Sequence, residues 1–191
     1  MTDVRVIIAI KSQDDSNLIK GMLIRGGYNV VALAHDGVTA LKLIRNYEPD
    51  LVLLDADLPG MNGVEVAKIL EEEKLVPVIL ISTYYRQDLI TKGKDAMVMA
   101  CLIKPITQAE LAGTVEVALA NYDKIRSLQQ EIVKLKGFLE DRKAVEKAKG
   151  LLMSKLDIPE NEAFKKIQKL SMEKRKPMKD IAESIIIAYE M

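Results

Sequence analysis

Short apolar runs in the first hundred residues alternate with segments whose apolar residues recur every three or four positions. Residues 4–10 form the first such run, which is broken only by Arg5, is rich in β-branched side chains and is too short for a typical helix. A run of this kind is typical of a strand buried on both faces. Similar runs predict further strands at residues 28–34, 51–54, 78–82 and 97–103.

Helical periodicity fills the intervals between these predicted strands. In residues 16–25, Leu18, Ile19, Met22 and Leu23 follow helical spacing, and two glycines come after them. The same spacing predicts helices at residues 37–46, 64–73 and 87–94, and a long helix that opens at Thr107. Five strands alternating with five helices predict an α/β fold, a doubly wound parallel sheet covered by helices on both faces.

The last third of the chain predicts three short helices, each with an apolar stripe and a basic surface. Residues 141–153 and 161–170 form the first two, and the third opens at Met178. Pro159 and Pro177 suit the starts of the second and third helices, where the first turn has no N–H partner to lose. In the first helix, Ala148 and Gly150 are small enough for another helix to approach closely.

An apolar seam lies between these two regions. Its residues alternate spacings of three and four, the pattern of a coiled coil, and they are Ile125, Leu128, Ile132, Leu135 and Leu139. We expect the long helix to run from about Thr107 to about Lys136. Two interpretations stay open, a coiled coil between two copies of the chain and a seam packed on the C-terminal helices. The pattern divides the chain into residues 1–120, a linker helix at 121–138, and residues 139–191.

Composition narrows the classes of function. No apolar run approaches the roughly 18–20 residues that span a bilayer, and the N-terminus has no signal-peptide pattern, so we expect a cytoplasmic protein. The single cysteine, Cys101, excludes intrachain disulfides. The single histidine, His35, removes most metal sites and catalytic schemes that depend on histidine. We therefore expect no enzyme.

The formal net charge of zero hides an acidic first part and a basic last part. Residues 122–191 contain sixteen basic and twelve acidic side chains, and residues 142–180 contain twelve basic against six acidic. A local excess of this kind favours a nucleic-acid partner. The alternative interpretation is an ordinary solvated face over a helical core.

Three polar residues stand where predicted strands end. Asp55, Ser82 and Lys104 follow the third, fourth and fifth strands. In parallel sheets, groups that do chemistry lie beyond the carboxyl ends of the strands. A carboxylate, a hydroxyl and an ammonium in one crevice suit transfer of a phosphoryl group to Asp55, with Ser82 and Lys104 on the phosphate oxygens.

The segments LVLLDADLPGMNG, LIST and LIKP make residues 4–120 resemble the receiver domain of two-component response regulators. The resemblance implies a flavodoxin-like sheet of strand order 2-1-3-4-5, a phosphoacceptor at Asp55, and a sensor kinase or regulatory protein as partner. Cys101 stands where receivers usually have an aromatic switch residue.

One departure concerns the metal. Receivers place two acidic residues at the end of the first strand, where they hold Mg²⁺, whereas this chain has Ile10 and Lys11 there. Because Mg²⁺ prefers hard oxygen ligands, we expect no metal cofactor and weak or absent phosphorylation of Asp55. Lys11 can instead pair with Asp55. Asp14 and Asp15 either substitute as ligands or supply charge at a helix N-terminus.

The segments DRKAVEKAKGLLM, NEAFKKI and LSMEKRKPMKDIAESII resemble the ANTAR domain, the three-helix RNA-binding module of bacterial transcription antiterminators. The resemblance implies binding to paired stem-loops in nascent mRNA, so that a terminator hairpin cannot form and RNA polymerase reads through. We favour a homodimer, because two such modules on one particle match two adjacent stem-loops. We expect Phe164 in the core and Tyr189 as the only plausible stacking residue of the last helix. The candidate RNA-binding residues are Arg142, Lys147, Lys149, Lys165, Lys166, Lys169, Lys174, Arg175 and Lys179, of which the resemblance favours Arg142, Lys149 and Arg175.

Two other functions remain open on sequence grounds. A DNA-binding response regulator would place one of the last helices in the major groove. A receiver-based interaction scaffold would bind no nucleic acid at all. Hairpin RNA and duplex DNA as ligands distinguish these alternatives from an antiterminator.

Overall fold

A computed structural model describes residues 4–73, 76–84 and 98–190, and the chain divides into two compact units, Met1–Ile125 and Arg126–Met191. The first unit contains one five-stranded sheet. Its strands are β1 (Arg5–Ala9), β2 (Asn29–Ala34), β3 (Leu51–Asp55), β4 (Val78–Ser82) and β5 (Val98–Ile103). All neighbours pair in parallel in the order β2-β1-β3-β4-β5, which confirms the predicted fold class.

The central strands explain why the sequence shows continuous apolar runs. Every residue of β3 and β4 is buried, because helices cover both faces of a parallel sheet. The strand register pairs Asp55 with Ile81 and Ser82 with Ile103. Asp55, Ser82 and Lys104, the residue after β5, therefore lie at one edge of the sheet.

Three helices of this unit begin at side-chain caps. They are α1 (Gln13–Arg25), α2 (Gly37–Tyr47) and α3 (Gly63–Glu72), and Ser12, Asp36 and Asn62 each accept a hydrogen bond from the backbone N–H three residues later. The cap at Ser12 makes α1 begin three residues before the predicted start. The helix predicted at residues 87–94 and the predicted first residue of β5, Met97, lie outside the described residues.

The long helix is longer than expected. It runs without interruption from Gln108 to Leu156 as α4 (Gln108–Leu156), so the prediction that it ends near Lys136, before a separate short helix, is wrong. The segment between Lys136 and Asp141 contains no proline. Its one unfavourable residue, Gly137, costs only about 1 kcal/mol relative to alanine, which is too little to end a helix.

The second unit joins the last turns of α4 to α5 (Glu160–Lys174) and α6 (Met178–Glu190). Pro159 caps α5, and Pro177 directly precedes α6. The buried residues of this bundle are Ala148, Leu152, Ala163, Ile167, Ile181, Ala182 and Ile185. Gly150 does not serve a close helix approach within the described residues, because a Cβ added there meets nothing within 4 Å.

None of the described helices combines the length and the apolar character that a membrane span needs.

Candidate functional sites

The receiver pocket is centred on Asp55, at the carboxyl end of β3. The backbone N–H of Asp57 donates to Asp55 Oδ1 at 3.2 Å. The ammonium of Lys104 donates to Asp55 Oδ2 at 3.0 Å and to Asp15 Oδ2 at 2.8 Å. Lys104 thus lies between two carboxylates that come from different elements.

Asp15 reaches this pocket from the first turn of α1. Its backbone N–H donates to Ser12 Oγ, at 3.3 Å, so the helix cap orients the residue. The side chain is partly exposed, whereas that of Asp55 is nearly buried. The sequence favours Asp15 as a metal ligand or as charge at a helix N-terminus, whereas the structure shows it as a partner of Lys104.

Lys11, which the sequence offered as a partner of Asp55, does not take that role. It is exposed, and within the described ranges it forms no ion pair with Asp55 or with any other carboxylate. The residue directly follows the buried Ile10. The cation that pairs with Asp55 is therefore Lys104.

The two carboxylates determine the protonation of Lys104. Burial lowers the pKa of this ammonium, but hydrogen bonds and charge attraction from Asp15 and Asp55 more than offset that effect, so the pKa lies above its ordinary value. Lys104 is consequently a permanent cation at neutral pH.

Ser82 directs its hydroxyl into the next loop. The side chain is fully buried at the end of β4. Its Oγ donates to the carbonyl of Tyr84 at 3.0 Å and accepts from the Tyr84 N–H at 3.3 Å. In this arrangement Ser82 shapes the loop that follows β4.

The loop after β3 is held by two close backbone approaches. A Cβ added to Gly63 would lie 2.3 Å from the carbonyl oxygen of Asp55, and one added to Gly37 would lie 2.0 Å from that of Met61. Only glycine fits at such distances. Asp55 is thus set directly against the start of α3.

Two features of this site bear on Mg²⁺, which prefers oxygen ligands. Ile10 is a fully buried aliphatic residue, and the Asp55 carboxylate accepts a hydrogen bond from the Lys104 ammonium. No group of three or more His, Cys, Asp or Glu side chains in the part of the chain that the structure describes is arranged to hold a metal ion. Neither Ile10 nor Lys104 supplies an oxygen ligand.

A cleft of about 370 Å³ opens beside the pocket. Leu18, Ile19, Pro105 and Ile106 supply its apolar lining, and Thr83, Asp15 and Lys104 complete it. Although Leu18 follows the helical spacing of the buried residues, it is exposed here, at the mouth of a concave surface.

Most of the candidate RNA-binding residues lie on the surface of the C-terminal bundle. The exposed ones are Arg142, Lys147, Lys165, Lys166, Lys169, Lys174 and Arg175. Lys169 pairs loosely with Glu173 at 3.7 Å, one turn along the same helix. These side chains are accessible to phosphate groups.

Lys149 differs from the other candidates because it is buried, at 9% exposure. Its ammonium lies 2.5 Å from Glu146 on the same helix and 2.8 Å from Glu160 at the start of α5. The hydrogen bonds that Lys149 donates to Glu146 and Glu160 raise the pKa of its ammonium. The structure therefore places Lys149 in the contact between two helices, with both carboxylates as partners.

Lys179 also pairs within the bundle. Its ammonium lies 3.0 Å from Asp141 Oδ1, which connects α6 to α4. This hydrogen bond raises the pKa of Lys179. Lys179 remains partly exposed.

The basic turn between α5 and α6 has a defined backbone. Arg175 adopts a left-handed conformation, with φ of 51°, and its N–H donates to the carbonyl of Met172. Ser171 Oγ donates to the carbonyl of Lys176 at 2.6 Å, which closes the turn. Three consecutive cations, Lys174 to Lys176, are thereby presented from an ordered segment.

The apolar seam on α4 is not covered by the C-terminal helices. Leu128, Ile132, Leu135 and Leu139 are between 49% and 59% exposed. The interpretation in which this seam packs on the bundle is therefore wrong for these residues. Four large apolar side chains at coiled-coil spacing lie open on one helix.

The fold and both sites identify the class of protein. Residues 6–116 match the family model of the response regulator receiver domain, and residues 134–186 match that of the ANTAR domain. The chain belongs to the response regulators that join a receiver to an ANTAR domain, a regulatory family of the antiterminator type.

Individual relatives agree with this assignment. The chain is 36% identical to the transcriptional regulatory protein PdtaR of Mycobacterium tuberculosis over 186 residues, which are 95% of this chain and 89% of the relative. It is 33% identical to the DNA-binding response regulator MtrA of Mycobacterium leprae over 112 residues, 58% of this chain and 50% of that one. The solved receiver domain of NarL from Mycobacterium tuberculosis aligns with a TM-score of 0.58 and 29% identity, covering 62% of this chain and 97% of that chain.

Proposed function

We propose that the chain is a transcription antitermination regulator that binds tandem stem-loops in nascent mRNA through its ANTAR bundle. The observation that carries the proposal is the exposed set of cations on this bundle, including the ordered turn at Lys174, Arg175 and Lys176. Lys and Arg hold phosphates, and a rigid turn presents them in one geometry. Binding in the cytoplasm to a nascent leader would prevent a terminator hairpin and let RNA polymerase continue.

The open seam on α4 supports a homodimer. Two bundles on one particle match two adjacent hairpins, and linking two weak sites raises avidity without new contacts. Either a parallel or an antiparallel pairing of the two helices buries the exposed leucines and isoleucines.

Arg175→Asn tests the RNA site. Asparagine tolerates the left-handed backbone of Arg175 and removes its charge. We expect weaker binding to tandem-hairpin RNA and a log–log salt slope that is shallower by about 0.7–0.9. Lys42→Gln is the matched control, because it removes one exposed charge from the receiver unit.

A comparison of ligands tests the proposal against the alternatives. Hairpin RNA should bind more tightly than duplex DNA in gel shifts at equal salt. A preference for duplex DNA would favour a DNA-binding response regulator, and no affinity for either at low salt would favour an interaction scaffold.

We further propose that the receiver works without Mg²⁺ and that Asp55 is phosphorylated weakly or not at all. The support is the Asp15–Lys104–Asp55 cluster, in which an internal ammonium neutralises the acceptor carboxylate. Control then comes through dimerisation or through a sensor kinase or other regulatory protein, for which the apolar cleft next to Lys104 offers a contact surface.

Acetyl phosphate or beryllofluoride with Mg²⁺ tests this second proposal. We expect little modification of the wild-type chain and more in the double variant Ile10→Asp, Lys11→Asp, which restores two carboxylates. Stoichiometric modification of wild-type Asp55, with a change of oligomeric state, would contradict the proposal.

A further inference from the structure

Helix α5 has an exposed face that differs in chemistry from the rest of the basic bundle. At 100° per residue, Ala163, Ile167 and Leu170 point towards the core of the bundle. The face beside them is formed by Asn161, Phe164, Lys165, Gln168 and Met172, all of which are exposed. This α5 face combines an aromatic ring, two amides and a cation.

Phe164 is the unexpected member of the α5 face. The sequence predicts it in the core, yet it is 41% exposed and does not belong to the apolar cluster of the bundle. The core position of this helix turn is taken by Ala163, which is fully buried. An aromatic ring left partly in water is available to a ligand.

The two amides lie next to this ring. Asn161 precedes Phe164 by three residues and Gln168 follows it by four, so both are its neighbours on the helix surface. An amide side chain both donates and accepts hydrogen bonds, as does the edge of a nucleobase.

The electrostatics of the α5 face suit a polyanion. Lys165 lies on it. Glu160, one turn before Phe164, accepts a hydrogen bond from Lys149 at 2.8 Å. This ion pair lowers the pKa of Glu160 and partly offsets its negative charge.

We propose that Phe164 stacks on one unpaired base of a hairpin loop, with Asn161 and Gln168 on the edge of that base and Lys165 on a neighbouring phosphate. Sequence-specific RNA recognition stacks splayed loop bases on aromatic side chains and reads their edges by hydrogen bonds. The inference rests on the proposed function and adds to it the residues that read the base.

The test uses the full-length chain and a tandem-hairpin RNA selected for wild-type binding from a pool with randomised loops. Each loop position is replaced in turn by 2-aminopurine, whose fluorescence is quenched on stacking. We expect one loop position to be quenched in the wild-type complex. Phe164→Leu should abolish that quench and weaken binding roughly 5- to 100-fold, whereas Phe164→Tyr should preserve both.

Tyr47→Leu is the matched control. Tyr47 is 42% exposed at the end of α2 in the receiver unit, so the substitution removes a similarly exposed aromatic ring away from the bundle. We expect its affinity and quench to equal those of the wild-type chain. Gln168→Ala should retain the quench and lose discrimination between bases at the quenched position.

The outcomes separate this inference from the proposed function. Failure to select any RNA would overturn the proposed function itself. Selection of an RNA that shows no quench, or that binds Phe164→Leu as tightly as the wild-type chain, would overturn only the role of the α5 face. If circular dichroism shows that Phe164→Leu folds less stably, the inference is judged by two other results. These are the quench in the wild-type complex and the loss of base discrimination in Gln168→Ala. Loss of self-association in place of RNA affinity would assign the α5 face to a protein contact and also overturn the inference.

Discussion

Lys104 donates hydrogen bonds to two carboxylates of the receiver pocket, those of Asp15 and Asp55. Removing water from an ammonium is costly, and two hydrogen bonds to carboxylates offset that cost. Lys104 therefore places a positive charge directly beside Asp55.

Asp15→Asn tests this charge balance. The substitution removes one of the two anions beside Lys104, so we expect the pKa of Lys104 to fall. The raised pKa means that the ion pairs stabilise the fold while the carboxylates are ionised and the pH is below the ordinary lysine value of 10.5, and that this contribution is lost as the pH rises through the folded-state pKa. NMR titration of labelled lysine side chains measures the shift.

Asp14→Asn is the control for that titration. Asp14 is the exposed neighbour of Asp15 in the same helix turn. An equal change in the Lys104 pKa in both variants would mean that general charge, rather than the contact with Asp15, sets its protonation.

Gly63→Ala tests the close approach of Gly63 to the backbone carbonyl of Asp55. The added methyl group would overlap the carbonyl oxygen of Asp55, so we expect a loss of about 1–3 kcal/mol in the free energy of unfolding. Gly113→Ala is the control, since its Cβ meets nothing within 4 Å, and there we expect a gain of about 0.5–1 kcal/mol from helix propensity. Urea unfolding followed by circular dichroism compares the two. Similar values would show that the loop moves aside.

At the scale of elements, ion pairs connect the helices of the C-terminal bundle. Lys149 joins α4 to α5 through Glu160, and Lys179 joins α6 to α4 through Asp141. The apolar core of this bundle is small and contains three alanines. The hydrophobic core is therefore modest, and the charged contacts help to fix the orientation of the helices relative to one another.

Glu160→Gln should weaken the contact between α4 and α5 in a pH-dependent way. The folded-state pKa of Glu160 is lowered by Lys149, so its contribution is present above the ordinary value of 4.5 and is lost as the pH falls through the folded-state pKa. We expect the wild-type chain to protect α5 amides from hydrogen exchange better than the variant at neutral pH, and equally well in acid.

Glu162→Gln provides the comparison on the same helix. Glu162 is exposed, and among the described residues no ion pair involves it. Equal loss of protection in both variants would indicate an effect of helix charge rather than of the contact with Lys149.

At the scale of the whole molecule, the seam on α4 predicts the oligomeric state. Leu135→Asp places a charge on the proposed dimer contact, and we expect a shift to monomer in sedimentation equilibrium, together with weaker binding to tandem hairpins. Val133→Asp is the control, because Val133 is 70% exposed but lies about 100° or more from the seam. Dissociation by both substitutions would place the contact elsewhere.

The sequence predicts most of the fold because the relevant patterns are local. Strand β4 has its predicted bounds, and β1, β2 and β3 differ from theirs by no more than one residue at either end. The sequence did not predict the full length of α4. A helix continues across residues 136–141 unless a strong stop signal ends it, and Gly137 is only a weak stop signal.

The sequence predicts where the candidate sites lie better than it predicts which side chains pair with each other there. Asp55, Ser82 and Lys104 lie at one edge of the sheet because parallel strands end there. The roles of Asp15 and Glu160 were missed, although each stands in the first turn of a helix, where acidic residues are common for other reasons.

The sequence by itself determined the order of strands and helices along the chain. It also determined the edge of the sheet at which Asp55 lies and the basic character of the last third of the chain. Periodicity and composition are properties of short stretches of residues, so the linear sequence is enough to reveal them. Only the tertiary structure decided that Lys104 pairs with Asp15, 89 positions away, that Lys149 is buried against Glu160, and that Phe164 is exposed. Such partners are set by which surfaces meet after packing, and no local pattern records them.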